Sequence, residues 1–138
     1  MEKEILLPIL ALVSWSLVMW GWMYATRLPA MAKAEIDPQA AAHPGSLNTL
    51  PADVRRIADN YNHLHEQPTM FFALVFYTYL AGNVTDFMVQ LAWAYVGLRV
   101  VHSFMQTLVN KVTLRFLTFM LSSVVLMVLA ALNILTLL

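Results

Sequence analysis

The sequence predicts an all-α integral membrane protein with four transmembrane helices per subunit. Three observations carry that expectation. The 138 residues are 60% apolar and only 12% charged, too little charge to cover every face of a soluble domain. The charge also thins along the chain. From Asn60 onward only Glu66, Asp86, Arg99, Lys111 and Arg115 remain, and none follows Arg115. Unpaired charge in hydrocarbon is costly, so a lipid-facing surface excludes it. Finally, the apolar residues fall in runs that reach the roughly 20 residues needed to cross a bilayer.

The first run is Ile5 to Thr26, after Met1-Glu2-Lys3-Glu4. Trp20, Trp22 and Tyr24 cluster at its far end, where amphipathic rings settle at a lipid boundary. It is long for a signal-peptide core, and no small-residue cleavage site follows closely, so a retained span is expected. Arg27 to Pro51 reads as the one long loop, with Pro29, Pro38, Pro44, Gly45 and Pro51 to interrupt a regular helix. Ala30 to Ala42 is alanine-rich and suits a short interfacial helix.

A second helix starts at Ala52 with Asp53 near its beginning. It is polar until Glu66 and apolar from Thr69 to Ala81. Pro68 predicts a kink rather than an end. Gly82-Asn83 predicts a tight turn, and Thr85 or Asp86 a cap for the next helix. Phe87 to Leu138 is too long for one span, and Asn110-Lys111-Val112-Thr113 divides it. The expected spans are residues 5–26, 53–81, 86–109 and 112–137, with a loop over 27–52, in one domain covering 1–138. There is no repeat and no low-complexity tract.

Basic residues in short loops set orientation. The first loop carries Arg27, Lys33, Arg55 and Arg56, and the third carries Lys111 and Arg115. Both are expected on the cytoplasmic side, with the termini opposite. Acidic and basic residues number eight each, which points to no nucleic-acid partner. The absence of cysteine excludes disulfides, a thiol nucleophile, a thiolate metal site and any reductase working through a Cys pair.

Two polar stripes interrupt the apolar pattern. Arg55, Asp59, Asn62 and Glu66 are spaced by four, three and four residues on the second helix. Arg99, His102, Gln106 and Asn110 repeat that kind of spacing on the third, with Ser103 beside them. Each set occupies one narrow face. Against lipid either stripe is intolerable, so both are expected to face protein or water, and each other. Glu66 and Arg99 are the natural ion pair, and loss of Arg99 alone would then strand a buried carboxylate. Structural glue between helices is the plainer reading of such groups. Two full stripes favour a site for a polar or anionic ligand. His63 and His65 are two apart and point to different sides, so no metal site is expected. Ser14, Ser16 and Ser103 lie in no nucleophile context, and the nine Met residues suit packing.

The chain resembles the MAPEG family, the membrane-associated proteins of eicosanoid and glutathione metabolism. That family includes microsomal glutathione transferases, leukotriene C synthase and prostaglandin E synthase. Asn62-His63-Leu64-His65-Glu66-Gln67-Pro68 resembles its Asn/Glu motif with a following proline. Arg99-Val100-Val101-His102-Ser103 resembles its Arg-x-x-His segment. Arg115 follows Arg99 by sixteen residues, as the thiol-activating arginine does in two branches. Arg27 loosely matches another basic position. The resemblance implies a homotrimer with glutathione as co-substrate between subunits on the cytoplasmic side. Glu66 and Arg99 would then hold the tripeptide. Asn62, His63, His102, Gln106, Arg55 and Asp59 would lie around it, and Arg115 would stabilise the thiolate. A lipophilic small molecule would arrive from the bilayer.

The sequence also departs from the family pattern. Asp59 stands where many active members have arginine, seven residues before Glu66. His63 stands where they often have asparagine, and Gln106 where they have tyrosine. Asp59 would repel a carboxylate unless Arg55 or Arg56 compensates. The implied activity is a glutathione transferase or peroxidase on lipophilic electrophiles. The alternative is a non-catalytic protein of the same fold that binds lipid or organises a partner. A small ion-coupled transporter using Glu66 is the weakest of the three.

Overall fold

The computed structural model describes residues 2–35, 39, 50–109 and 111–138. These form an all-helical bundle, with no strand among the described residues. After a 3-10 turn over Glu2–Leu6 come α1 (Leu7–Lys33), α2 (Ala52–His63), α3 (Gln67–Leu80), α4 (Asp86–Phe104) and α5 (Val112–Leu135). The second of the four rods is therefore α2 and α3 together.

The opening segment and α1 make one apolar rod from Lys3 to Lys33, whose most apolar 18-residue stretch has mean hydropathy 1.9, and α5 is a second, with 2.2 over its own such stretch. These two are long and apolar enough to cross a membrane by length and composition. Along this first rod, Ile5, Leu12 and Met19 lie seven residues apart and are fully buried, the repeat that keeps one seam of a helix against its neighbours. Leu10 and Leu17 point outward and are exposed. Trp20 and Tyr24, one turn apart, meet edge to face with centroids 5.2 Å apart. The helix does not stop near Thr26 as the prolines suggested. Pro29 lies inside it. Proline removes one backbone bond, but Ala30, Met31 and Ala32 are good helix formers and carry the helix on to Lys33. The remainder of the proposed interfacial helix lies largely outside the described residues.

Pro68 does more than kink the second rod. Its ring has no N–H to close on the carbonyl of Leu64 and would crowd it. The chain accordingly leaves the helix at His63, turns through Leu64, His65 and Glu66, and restarts at Gln67 with proline in the first turn of α3. That break matters for the site, because it falls on the Asn/Glu motif. At the other end of α3, Gly82 takes φ +71°. Its N–H bonds the carbonyl of Tyr79 at 3.2 Å, and the Asn83 N–H bonds that of Thr78 at 3.1 Å. This is the Schellman closure that a left-handed glycine permits. Thr85 then caps α4 by accepting from the Met88 N–H at 3.2 Å.

The core is built from Phe71 and Val75 of α3, Ala92 and Tyr95 of α4, and Leu126 and Leu129 of α5, closed by the α1 seam. Phe71 stacks on Tyr95 with centroids 4.4 Å apart. Trp15 of α1 donates to Ser103 Oγ of α4 at 3.0 Å. The end of α4 opens into a π-helical turn over Met105–Val109, which packs against α2.

Candidate functional site

The α4 stripe faces the interior, as its spacing predicted. Arg99, His102, Ser103 and Gln106 are all buried, and Arg99 has no exposed surface. Thr107 joins them on the π turn, donating to the carbonyl of Ser103 at 2.7 Å. Asn110 lies outside the described residues. Tyr95, one turn before Arg99, donates to Gln67 Oε1 at 3.1 Å. Gln67 in turn donates to Ser123 Oγ at 2.8 Å. One side chain at the start of α3 thereby joins α4 and α5.

Arg99 stands apart within this set. None of Nε, Nη1 and Nη2 has a hydrogen-bond partner among the described residues. His102 donates or accepts through Nδ1 with Thr118 Oγ1 at 3.1 Å, while its buried Nε2 has no such partner. An isolated buried cation costs several kcal/mol, so such a guanidinium calls for an anion.

The α2 stripe runs the other way. Arg55, Asp59, Asn62 and Glu66 are exposed on this chain, which corrects the expectation that they face α4. The face turned inward carries Ile57, Ala58 and Asn60. Asn60, fully buried, donates to Gln106 Oε1 at 3.0 Å. Spacing shows that residues share a face but not which way that face points. The signal for Asn60 was a polar residue set among Ile57, Ala58 and Leu64.

The expected Glu66–Arg99 ion pair is also corrected. Glu66 is 68% exposed, and its Oε2 lies 3.1 Å from His63 Nδ1 instead. The turn forced by Pro68 swings Glu66 off the helical face that counting assigned to it. His63 and His65 diverge, as expected. His65 lies beside Tyr61, with Nδ1 2.9 Å from the Tyr61 carbonyl. His63 instead reaches α4 and α5. Its ring centroid is 5.1 Å from that of His102 and it stacks on Phe119 at 5.5 Å.

These groups border a pocket of about 280 Å³ lined by His63, His102, Val112, Arg115, Phe116 and Phe119. The break between α2 and α3, the end of α4 and the first turn of α5 therefore converge on one place. The MAPEG family matches the chain over residues 5–135. The chain belongs to that family. The match spans nearly all of the described helices, so the MAPEG bundle accounts for the four rods and for their placement in a membrane. No individual curated protein and no solved structure matches the chain. Of the motif residues suggested by the MAPEG resemblance, His63, His102 and Arg115 share the pocket, and Arg99 is buried on α4 one turn before His102. Glu66 reaches the pocket only through His63. Gln106 is committed to Asn60.

Proposed function

We propose that the protein is a membrane-bound glutathione-dependent transferase or peroxidase acting on lipophilic electrophiles. The observation that carries this reading is Arg99, a fully buried guanidinium whose three nitrogens have no hydrogen-bond partner among the described residues. A planar, permanently charged fork is suited to a carboxylate held bidentately. Glutathione offers two carboxylates, an amine and a thiol. Arg99 would hold a carboxylate, and the Glu66 oxygen not engaged by His63 would take the amine. Arg115, half-buried at the start of α5, would stabilise the thiolate, because a nearby cation favours the ionised form. Phe116 and Phe119 give the electrophile an apolar approach along α5.

The exposed Arg55, Asp59, Asn62 and Glu66 stripe supports a homotrimer, in which a neighbouring subunit covers what lipid would not. Arg55 and Arg56 flank Asp59 in sequence and would offset its repulsion of a carboxylate. Loops one and three would lie in the cytoplasm. A second reading, a non-catalytic protein of the same fold, draws on Gln106. It replaces a tyrosine of many active members and is tied to Asn60 rather than aimed at a ligand.

Calorimetric titration of glutathione into the purified protein, with ultraviolet absorbance of the thiolate, tests the reading. Wild type is expected to bind and to develop the thiolate signal. Arg115→Ala should keep binding within a few-fold and lose the signal. Absence of binding by wild type would overturn the enzyme.

A further inference from the structure

His63, paired with Glu66, has no role in the proposed function. Pro68 ends α2 at His63, and the three-residue turn brings the Glu66 carboxylate back to 3.1 Å from His63 Nδ1. His63 also lines the pocket that contains Arg115. With Nδ1–H donated to the carboxylate, the lone pair lies on Nε2. Base, orienting acid and thiolate-stabilising cation then occupy one end of the bundle. That is the arrangement by which a weak nucleophile is activated.

We infer that His63 is the proton acceptor for the thiol of the bound substrate, with Glu66 as its positioning residue. The inference rests on the glutathione reading and deepens it. The S–H bond breaks, its electron pair stays on sulfur, and the proton passes to His63 Nε2. Glu66 holds the resulting imidazolium through Nδ1–H. When the thiolate adds to an activated carbon–carbon double bond, the C–S bond forms and the π pair moves to the neighbouring carbon. His63 then returns the proton there. His102 is the less suitable base, because its Nδ1 meets the Thr118 hydroxyl rather than a carboxylate. The charged and titratable groups acting on His63 are Glu66 from its own turn, Arg99 and His102 from α4, and Arg115 from α5.

The test counts protons. Glutathione is titrated calorimetrically at about pH 7.5, where free imidazole and free thiol are mostly neutral. Two buffers of different ionisation enthalpy are used, and thiolate absorbance is read in parallel. If His63 keeps the proton, wild type forms thiolate while releasing less than about half a proton per thiolate to the buffer. His63→Asn should then release a full proton per thiolate, move thiolate onset to higher pH and slow turnover by about 100-fold or more. Glu66→Gln should fall between the two. A full proton released by wild type, unchanged in His63→Asn, overturns the inference. So does binding without any thiolate signal, or a changed count in His102→Gln with none in His63→Asn. If wild type does not bind glutathione at all, the proposed function itself fails, a result distinct from these.

Discussion

Two polar clusters lie at opposite ends of the same bundle, and they differ in how completely their groups are satisfied. At the turn between α3 and α4, Asn133 Nδ2 donates to Thr78 Oγ1 at 2.8 Å and to the Leu129 carbonyl at 3.0 Å. Asn83 donates to Asn133 Oδ1 at 3.4 Å and to Thr136 Oγ1 at 2.9 Å. Thr78 closes on the Leu74 carbonyl at 2.7 Å. Every donor there has somewhere to go. At the other end, Arg99, His102 Nε2 and Asn60 Oδ1 are buried without hydrogen-bond partners among the described residues. Both clusters are polar groups within an apolar bundle. The first joins helices, as buried amides and hydroxyls do in membranes. The second holds polar capacity that packing alone does not use. Satisfaction, rather than polarity, separates glue from site.

The strongest way to break that comparison is Arg99→Met. If Arg99 serves a ligand, this variant should lose glutathione affinity by about 2–5 kcal/mol. Its melting temperature in detergent should stay level or rise, since an uncompensated buried charge is removed. No buried carboxylate is stranded, because Glu66 is exposed. A collapse of folding would place Arg99 with the glue instead. Next in size is Gln106→Leu. It leaves Asn60 with neither amide group bonded, and should cost about 1–3 kcal/mol of stability by thermal or denaturant unfolding. The smallest effect is expected from Asn133→Ala, about 0.6–1.7 kcal/mol by the measured range for interhelical bonds in membranes. Glutathione affinity in the calorimeter should not change. A change there would mean that the two ends are coupled.

Much of the bundle was legible in the sequence, and the reasons differ by element. α1 and α5 declare themselves by apolar runs whose partners are lipid, which needs no tertiary information. The inward face of α4 was legible because Arg99, His102 and Gln106 recur at helical spacing in an otherwise apolar segment. α2 was misread because it has two faces of different character. Its charged stripe is the conspicuous one, whereas Asn60, hidden in the apolar stripe, makes the contact. The Glu66 position failed for another reason. Helical counting from α2 does not hold beyond His63, where the break before Pro68 takes Glu66 out of the helix. His63 gained its partner from that same break. The exit of α1 lies beyond Pro29 because one lost backbone bond is not enough to end a strong helix, which the proline pattern alone does not reveal.

The π turn at Met105–Val109 has a consequence for how this chain is compared with its family. A turn closed from i to i+5 holds one residue more than an α turn. Gln106, matched to a family tyrosine by counting seven places from Arg99, sits inside that wider turn. Equality of count on the two sides therefore does not guarantee equality of direction. Deleting one residue from the segment would return it to ordinary α geometry. The turn is a change of reading frame written in space, and descent within the family is better traced by which helix face a residue occupies than by its distance from Arg99.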